Sequence, residues 1–72
     1  MAITVLIVDD EENARQFIGE FLIKKGYEVV GASTLAEARH FLSRGDGDVV
    51  LLDVQLPDGY GPNLLYETAH LP

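Results

Sequence analysis

Two short runs of the chain are almost entirely apolar, and each ends directly at an acidic residue. Residues 3–8 are followed by Asp9 and Asp10, and residues 49–52 are followed by Asp53. Apolar runs of this length, rich in β-branched residues, are typical of parallel strands that are covered on both faces. The pattern therefore predicts two buried strands with acidic residues at their C-terminal ends.

Between these runs the apolar residues recur at steps of three and four, the spacing of one helix face. The first such segment ends at Gly26, and the second begins with the capping-box pattern of Thr34 and Glu37. The apolar stripe of the first helix comprises Ala14, Phe17, Ile18, Phe21 and Leu22. The predicted elements are β1 over 3–8, α1 over 12–25, β2 over 27–32, α2 over 34–44, β3 over 49–52, a loop over 56–61 and a third helix from Pro62.

This alternation of strands and helices predicts an α/β fold. Right-handed crossovers between short apolar strands favour a parallel sheet with helices on both faces. We expect a flavodoxin-like sheet, a partial βαβαβα unit with strand order 2-1-3. In that order β1 is the neighbour of β3, so Asp9, Asp10 and Asp53 meet at the sheet edge where ligands bind in such folds.

Composition restricts the function classes. The chain has 72 residues, enough for one small domain, and it has no cysteine and no basic leader. No apolar run approaches the roughly 20 residues of a membrane helix. A net charge of -7 opposes direct binding to nucleic acid, because such binding depends on neutralising phosphates. We therefore expect a cytoplasmic chain that contacts neither nucleic acid nor membrane.

The three carboxylates indicate a cation and an electrophile. Two carboxylates ~5 Å apart repel by about 3 kcal/mol at an effective dielectric near 20, and a divalent cation relieves that repulsion. Ligand sets made only of oxygen atoms suit Mg²⁺, and an aspartate beside Mg²⁺ can accept a phosphoryl group as an acyl phosphate. The competing interpretation is that Asp9, Asp10 and Asp53 only cap the elements that follow them.

These motifs resemble those of the receiver domains of two-component response regulators. The resemblance is carried by VDDE at residues 8–11, LLD at 51–53 and DVQLPDGYG at 53–61, which is similar to the family's phosphoacceptor loop. Each motif alone is a weak signal, but their combination and spacing are specific. The resemblance covers the whole chain.

The resemblance implies a role for each acidic residue. Asp53 would be the phosphoacceptor, Asp10 and Asp53 would bind Mg²⁺ directly, the main-chain carbonyl of Gln55 would be another ligand, and Asp9 would act through bound water. The phosphodonor would be a histidine kinase, a phosphotransfer protein or a small acyl phosphate. The chain would be a signalling module and not an enzyme, and its output domain would lie downstream.

The family also has a hydroxyl residue after its fourth strand and a lysine after its fifth, and both would lie beyond Pro72. We therefore expect residues 1–72 to be the N-terminal portion of a single receiver domain, truncated and unable to switch. With no fourth strand, the apolar edge of β3 would be open to pairing with another strand. We expect self-association through Val49–Leu52.

Two other function classes stay open at this stage. The first is an aspartate-nucleophile phosphohydrolase, a true enzyme that ordinarily has a second acid two residues after its nucleophile. Gln55 stands at that position, which argues against turnover. The second is an interaction module that is not phosphorylated, and Mg²⁺ affinity distinguishes it from a receiver.

Overall fold

A three-stranded parallel sheet organises residues 2–64, the part of the chain that the computed structural model describes. The strand order is β2-β1-β3, which confirms the predicted flavodoxin-like arrangement. Strand and helix ends differ from the prediction by at most one residue. The elements are β1 (Thr4–Val8), α1 (Glu12–Lys24), β2 (Glu28–Ala32), α2 (Leu35–Ser43), β3 (Val49–Leu52), β4 (Gln55–Leu56) and β5 (Gly59–Tyr60).

The main core lies between the sheet and α2. Alternate residues of β1, Leu6 and Val8, point to this side, as expected from the two-residue period of a strand. Both are almost fully buried, as is Leu35 at the start of α2. The buried cluster consists of Leu6, Val8, Ala32, Leu35, Ala38, Leu56 and Leu64. Within the described range, no helix is long and apolar enough to cross a membrane.

Helix α1 covers the opposite face of the sheet, mainly above β2 and β1. Its contact face includes the buried Gly19 and the half-buried Ile18 and Leu22. The predicted stripe was wrong for Phe17 and Phe21, which are 76% and 55% exposed. At 3.6 residues per turn, residues 17 and 21 lie about one turn apart on the same side of the helix, and both side chains are mostly exposed.

The prediction that β3 is buried on both faces was wrong. Val49 and Leu51 are 47% and 42% exposed, whereas Val50 and Leu52 are half-buried against the main core. The cause is the position of α1, which packs mainly on β2 and β1 and leaves the same face of the sheet uncovered at β3. In the described part of the chain, β3 hydrogen-bonds to β1 alone and forms an edge of the sheet.

The predicted loop over 56–61 contains regular structure. Strands β4 and β5 form a short antiparallel hairpin in which Gln55 pairs with Tyr60 and Leu56 with Gly59. Sequence pattern alone missed this hairpin because each strand has only two residues, too few to show an alternation. Of the third helix predicted from Pro62, Pro62 itself lies in a turn, Asn63 and Leu64 are helical, and the residues after Leu64 lie outside the described range.

Candidate functional site

Main-chain hydrogen bonds place Asp9 and Asp53 at one level of the sheet. The N–H of Asp9 donates to the carbonyl of Ala32 at 3.0 Å, and the N–H of Asp53 donates to the carbonyl of Val8 at 2.9 Å. The first bond continues the pairing of β1 with β2 one residue past Val8, and the second continues the pairing of β1 with β3 one residue past Leu52. The two side chains therefore project from adjacent strand ends at the edge predicted from the strand order.

The structure brings the three predicted acidic residues together. One carboxylate oxygen from each of Asp9, Asp10 and Asp53 lies within 4.8 Å of the others. Asp10 is exposed, whereas Asp9 and Asp53 are half-buried. A hard divalent cation such as Mg²⁺ prefers oxygen ligands and retains several waters, so a partly exposed set of carboxylates fits it. The donor set therefore matches the predicted metal.

Two of these carboxylates also bind local main chain. Oδ1 of Asp9 accepts a hydrogen bond from the N–H of Glu11 at 3.0 Å, and Oδ1 of Asp53 accepts one from the N–H of Val54 at 2.8 Å. The competing interpretation of these aspartates as caps is wrong for α1, which has no side-chain cap hydrogen bond, since Glu11 and Val54 are residues that precede α1 and β4. The bonds orient the side chains and do not exclude metal binding, because a carboxylate has two oxygens and several acceptor positions.

Arg15 is a neighbour of the site that the sequence analysis did not identify. Its guanidinium donates from Nη1 to the main-chain carbonyl of Asp9 at 2.7 Å. It also lies along Gly31, where an added Cβ would meet the Arg15 side chain at 3.7 Å. The bond connects α1 to the turn that carries the acidic pair. No local sequence signal identifies it, because it joins a helical side chain to a main-chain oxygen.

A small cavity beside the site has mixed walls. It has a volume of about 170 Å³, and its lining includes Asp9 and Asp53 together with the apolar side chains of Ile18 and Leu51. The acidic side chains therefore stand at the boundary between the polar sheet edge and the partly uncovered face of β3. Apolar side chains on one side of the site lower the local dielectric below that of bulk water, which strengthens electrostatic interactions there.

The hairpin closes directly behind Asp53. The N–H of Gly61 donates to the carbonyl of Val54 at 2.7 Å, which brings the end of β5 back to the start of the hairpin. A Cβ added at Gly61 would collide with the main-chain carbonyl of Asp53. Gln55, the predicted source of a carbonyl ligand, begins β4 two residues after Asp53. Its role as a ligand stays a prediction.

Asp58, at the tip of this hairpin, is the second residue that the sequence analysis did not single out. Its Oδ1 accepts from the N–H of Leu35 at 2.8 Å, and its Oδ2 accepts from the N–H of Ala36 at 3.0 Å. These hydrogen bonds, that from Leu35 foremost, hold the pKa of Asp58 below its ordinary value of 3.8. The sequence around Asp58 predicts only a turn. Nothing in it indicates a contact with Leu35 and Ala36, which lie more than 20 positions away.

Helix α2 has a second acidic cap. The predicted capping box is present in part: Oγ1 of Thr34 accepts from the N–H of Glu37 at 3.1 Å. The Glu37 carboxylate in turn accepts from the hydroxyl and the N–H of Ser33, one residue earlier than the standard motif. These bonds, led by that from the Ser33 hydroxyl, lower the pKa of Glu37 from 4.5.

The lowered pKa values of Asp58 and Glu37 predict that the first turn of α2 becomes less stable in acid. A carboxyl group whose pKa is lower in the folded state stabilises the fold fully above its unfolded pKa, and the stabilisation is lost as the pH falls through the folded pKa. We expect Asp58→Asn to be less stable than the parent chain at neutral pH. The difference should shrink as the pH falls below 3.8 and then through the lowered pKa of the folded state, where the parent carboxyl is also protonated. Urea unfolding followed by circular dichroism across this range measures it, and a difference that persists in acid would contradict the assignment.

Comparison with known proteins identifies relatives of this arrangement. A model of the family described as the response regulator receiver domain matches residues 5–71. The transcriptional regulatory protein DpiA of Escherichia coli strain K12 is 39% identical over 74 residues, which cover 97% of this chain and 33% of DpiA. The DNA-binding transcriptional regulator NtrC of Rhizobium meliloti is 36% identical over 62 residues, covering 86% of this chain and 13% of NtrC.

Solved structures have the same fold. A CheY-like response regulator receiver domain from Methylobacillus flagellatus superposes with a TM-score of 0.91 at 29% identity, covering 100% of this chain and 61% of that structure. The chain thus spans a third or less of the two curated relatives and about three fifths of the solved domain. The activities of those longer proteins are not transferred by the match alone.

Proposed function

Because the chain belongs to the family of response regulator receiver domains, we propose that it is a phosphoacceptor module of two-component signalling, with Asp53 as the acceptor and Mg²⁺ as the required cation. The observation that carries this proposal is the convergence of the Asp9, Asp10 and Asp53 carboxylates within 4.8 Å at the ends of two adjacent strands. Strand order alone explains why acids far apart in the sequence meet there.

Each residue has a proposed role at the cation. Asp10 and Asp53 would bind Mg²⁺ through carboxylate oxygens, the Gln55 main-chain carbonyl would provide a further ligand, and Asp9 would bind through a water molecule. Magnesium supplies charge neutralisation, so that an anionic phosphoryl group can approach three carboxylates. The hydrogen bonds to Asp9 Oδ1 and Asp53 Oδ1 orient both side chains before the cation arrives.

In the proposed reaction a carboxylate oxygen of Asp53 attacks the phosphorus of the donor. A new oxygen–phosphorus bond forms as the bond from phosphorus to the leaving group breaks, and the leaving group keeps the electron pair. The donor is the phosphohistidine of a histidine kinase or phosphotransfer protein, or a small acyl phosphate such as acetyl phosphate. DpiA and NtrC are named as transcriptional regulators, and we propose that this domain also serves in the regulation of transcription.

The phosphohydrolase alternative is disfavoured by the surroundings of Asp53. The position two residues later is Gln55, an amide that cannot act as a general acid or base at neutral pH. We therefore propose that the chain accepts one phosphoryl group and is not a turnover enzyme. An interaction module without phosphorylation would bind no Mg²⁺ at the carboxylates. The deciding experiment is Mg²⁺-dependent and Asp53-dependent formation of a phosphoryl adduct.

We also propose that the chain self-associates through the edge of β3. Val49 and Leu51 are about half exposed on a strand that carries no charged residue. An edge of this kind exposes unpaired N–H and C=O groups to a second strand, and natural edges often carry lysine to prevent this pairing. The -7 charge of the chain opposes close approach, so we expect association to strengthen with salt.

Sedimentation velocity tests this pairing. We expect the average mass of the parent chain to rise with concentration, and Leu51→Lys to remain monomeric because it places a charge on the edge strand. The matched control is Phe17→Lys, which removes from α1 an apolar side chain that is more exposed than Leu51, 76% against 42%, but leaves the edge unchanged. If Phe17→Lys is as monomeric as Leu51→Lys, general apolar contact and not strand pairing is responsible.

A further inference from the structure

The hairpin after Asp53 is attached to α2 at its tip. Both carboxylate oxygens of Asp58 accept main-chain hydrogen bonds from the first turn of α2, at 2.8 Å from Leu35 and 3.0 Å from Ala36. The first N–H groups of a helix have no partner within it, and a negatively charged acceptor there also interacts favourably with the helix dipole. The contact therefore joins two elements that are distant in sequence.

Apolar packing reinforces the same junction. Leu56 on β4 is 8% exposed and belongs to the core cluster that contains Leu35. At Gly59 the hairpin passes so close to α2 that an added Cβ would lie 2.9 Å from Cδ1 of Leu35. The tip of the hairpin is thus held by a pair of hydrogen bonds and by contact with one leucine.

The other end of the hairpin is held at the proposed phosphorylation site. The N–H of Asp53 is bonded to the carbonyl of Val8 on β1, and the N–H of Gly61 is bonded to the carbonyl of Val54. Gly61 packs against the carbonyl of Asp53 with no space for a side chain. Between these points the β4 and β5 strands are paired, Gln55 with Tyr60 and Leu56 with Gly59, so paired main chain connects the tip to the base.

We propose that Asp58 is a positioning residue for the acidic site: by holding the hairpin tip on α2, its carboxylate fixes the segment that carries Asp53 and the Gln55 carbonyl. This inference rests on the proposed function, because it assigns Asp58 an effect on cation binding at that site. A residue that only capped α2 would change the stability of the helix and leave the segment after Asp53 unaltered.

A second cap of the same helix provides the matched control. Thr34 accepts from the N–H of Glu37 at 3.1 Å, so Thr34→Ala weakens the start of α2 without removing a bond to the hairpin. Asp58→Ala removes both hydrogen bonds to α2, and Asp58→Asn retains an acceptor oxygen of nearly the same shape. All three variants are made in the full 72-residue chain, and circular dichroism verifies that each is folded.

Two readouts distinguish positioning from capping. The first is hydrogen exchange of the Gly61 N–H, which reports closure of the hairpin base and needs no cation. The second is the Mg²⁺ dissociation constant from an NMR titration with MgCl₂. We expect Asp58→Ala to accelerate Gly61 exchange and to weaken Mg²⁺ binding roughly tenfold, the lower end of losses found for residues that orient metal ligands. Asp58→Asn should lie between Asp58→Ala and the parent, and Thr34→Ala should match the parent in both.

The outcomes separate this inference from the proposed function. Equal changes in Asp58→Ala and Thr34→Ala, or no change in either, overturn the positioning role. If the parent chain binds no Mg²⁺, the proposed function fails, and Gly61 exchange alone then decides whether Asp58 holds the segment. If Asp58→Ala does not fold, the same comparison is made between Asp58→Asn and Thr34→Ala. In that case, hydrogen exchange of the Gly61 N–H that is unaltered in Asp58→Asn overturns the inference.

Discussion

Asp53→Asn is expected to abolish the phosphoryl adduct that the parent chain forms with acetyl phosphate and Mg²⁺. The amide oxygen of Asn carries no negative charge and does not attack phosphorus at a useful rate, whereas the carboxylate does. The substitution preserves side-chain shape and can still accept the hydrogen bond from the Val54 N–H, so the fold is retained. Intact-mass analysis counts the adducts, with one expected on the parent chain and none on Asp53→Asn.

The matched control is an aspartate at the opposite end of the same strand. Asp48 directly precedes β3, and its Oδ2 accepts a hydrogen bond from the N–H of Thr4 at 2.9 Å. Asp48→Asn should form the adduct like the parent, because this carboxylate is not part of the acidic cluster. Asp10→Asn should form it only at raised Mg²⁺ concentration, because one proposed cation ligand is weakened.

Two results would contradict the assignment of Asp53. An adduct that persists on Asp53→Asn would place the acceptor at another residue. A folded parent chain with no adduct in the presence of Mg²⁺ would mean that the carboxylate cluster is insufficient for acceptance. In that case the interaction-module alternative would be favoured if Mg²⁺ binding were also absent.

Gly61→Ala is expected to disturb the site without changing any of its ligands. A Cβ at this position collides with the main-chain carbonyl of Asp53 and also lies 3.2 Å from the carbonyl of Val54. Since both obstacles are main chain, the clash cannot be relieved by rotating a side chain. We expect a loss of about 1–3 kcal/mol in the free energy of unfolding, typical of overpacking, together with weaker Mg²⁺ binding. Thermal unfolding and an MgCl₂ titration measure the two effects.

Gly19→Ala is the contrasting glycine substitution. Gly19 is buried inside α1, but an added Cβ would make only ordinary contacts, 3.6 Å from Val29 Cγ1 and 3.9 Å from Ile7 Cδ1. Alanine is preferred over glycine in a helix interior by up to about 1 kcal/mol. We therefore expect unchanged Mg²⁺ binding and equal or higher stability. If Gly61→Ala is as stable as Gly19→Ala, the close contact between Gly61 and the Asp53 carbonyl is contradicted.

Much of the fold followed from local pattern. The apolar runs ending at Asp9 and Asp53 predicted two parallel strands, and the three-to-four spacing between them predicted α1 and α2. Chain topology then predicted the order β2-β1-β3, and that order accounts for the meeting of the acidic residues. These features were predictable because periodicity and strand-end acids lie within short stretches of sequence, and the handedness of parallel crossovers is the same in nearly all proteins.

The amount of burial along each element was less predictable. Val49 and Leu51 are as apolar as their strand neighbours, yet they are exposed because α1 lies over β1 and β2. Phe17 belongs to the apolar stripe of α1 by spacing, but its side chain is 76% exposed. An apolar side chain is favoured in the interior, but the positions of the neighbouring helices and strands decide whether it is covered.

By itself, the sequence determined the two long helices, the three strands of the main sheet with their order, and the three carboxylates that converge at its edge. Only the tertiary structure decided that Asp58 caps α2 from the hairpin, that Arg15 holds the Asp9 carbonyl, and that Gly61 must be small because it packs against Asp53. The physical reason is the range of the interactions. Periodicity and strand-end acids are local properties, whereas these three contacts depend on which main-chain atoms folding brings within hydrogen-bonding or van der Waals distance.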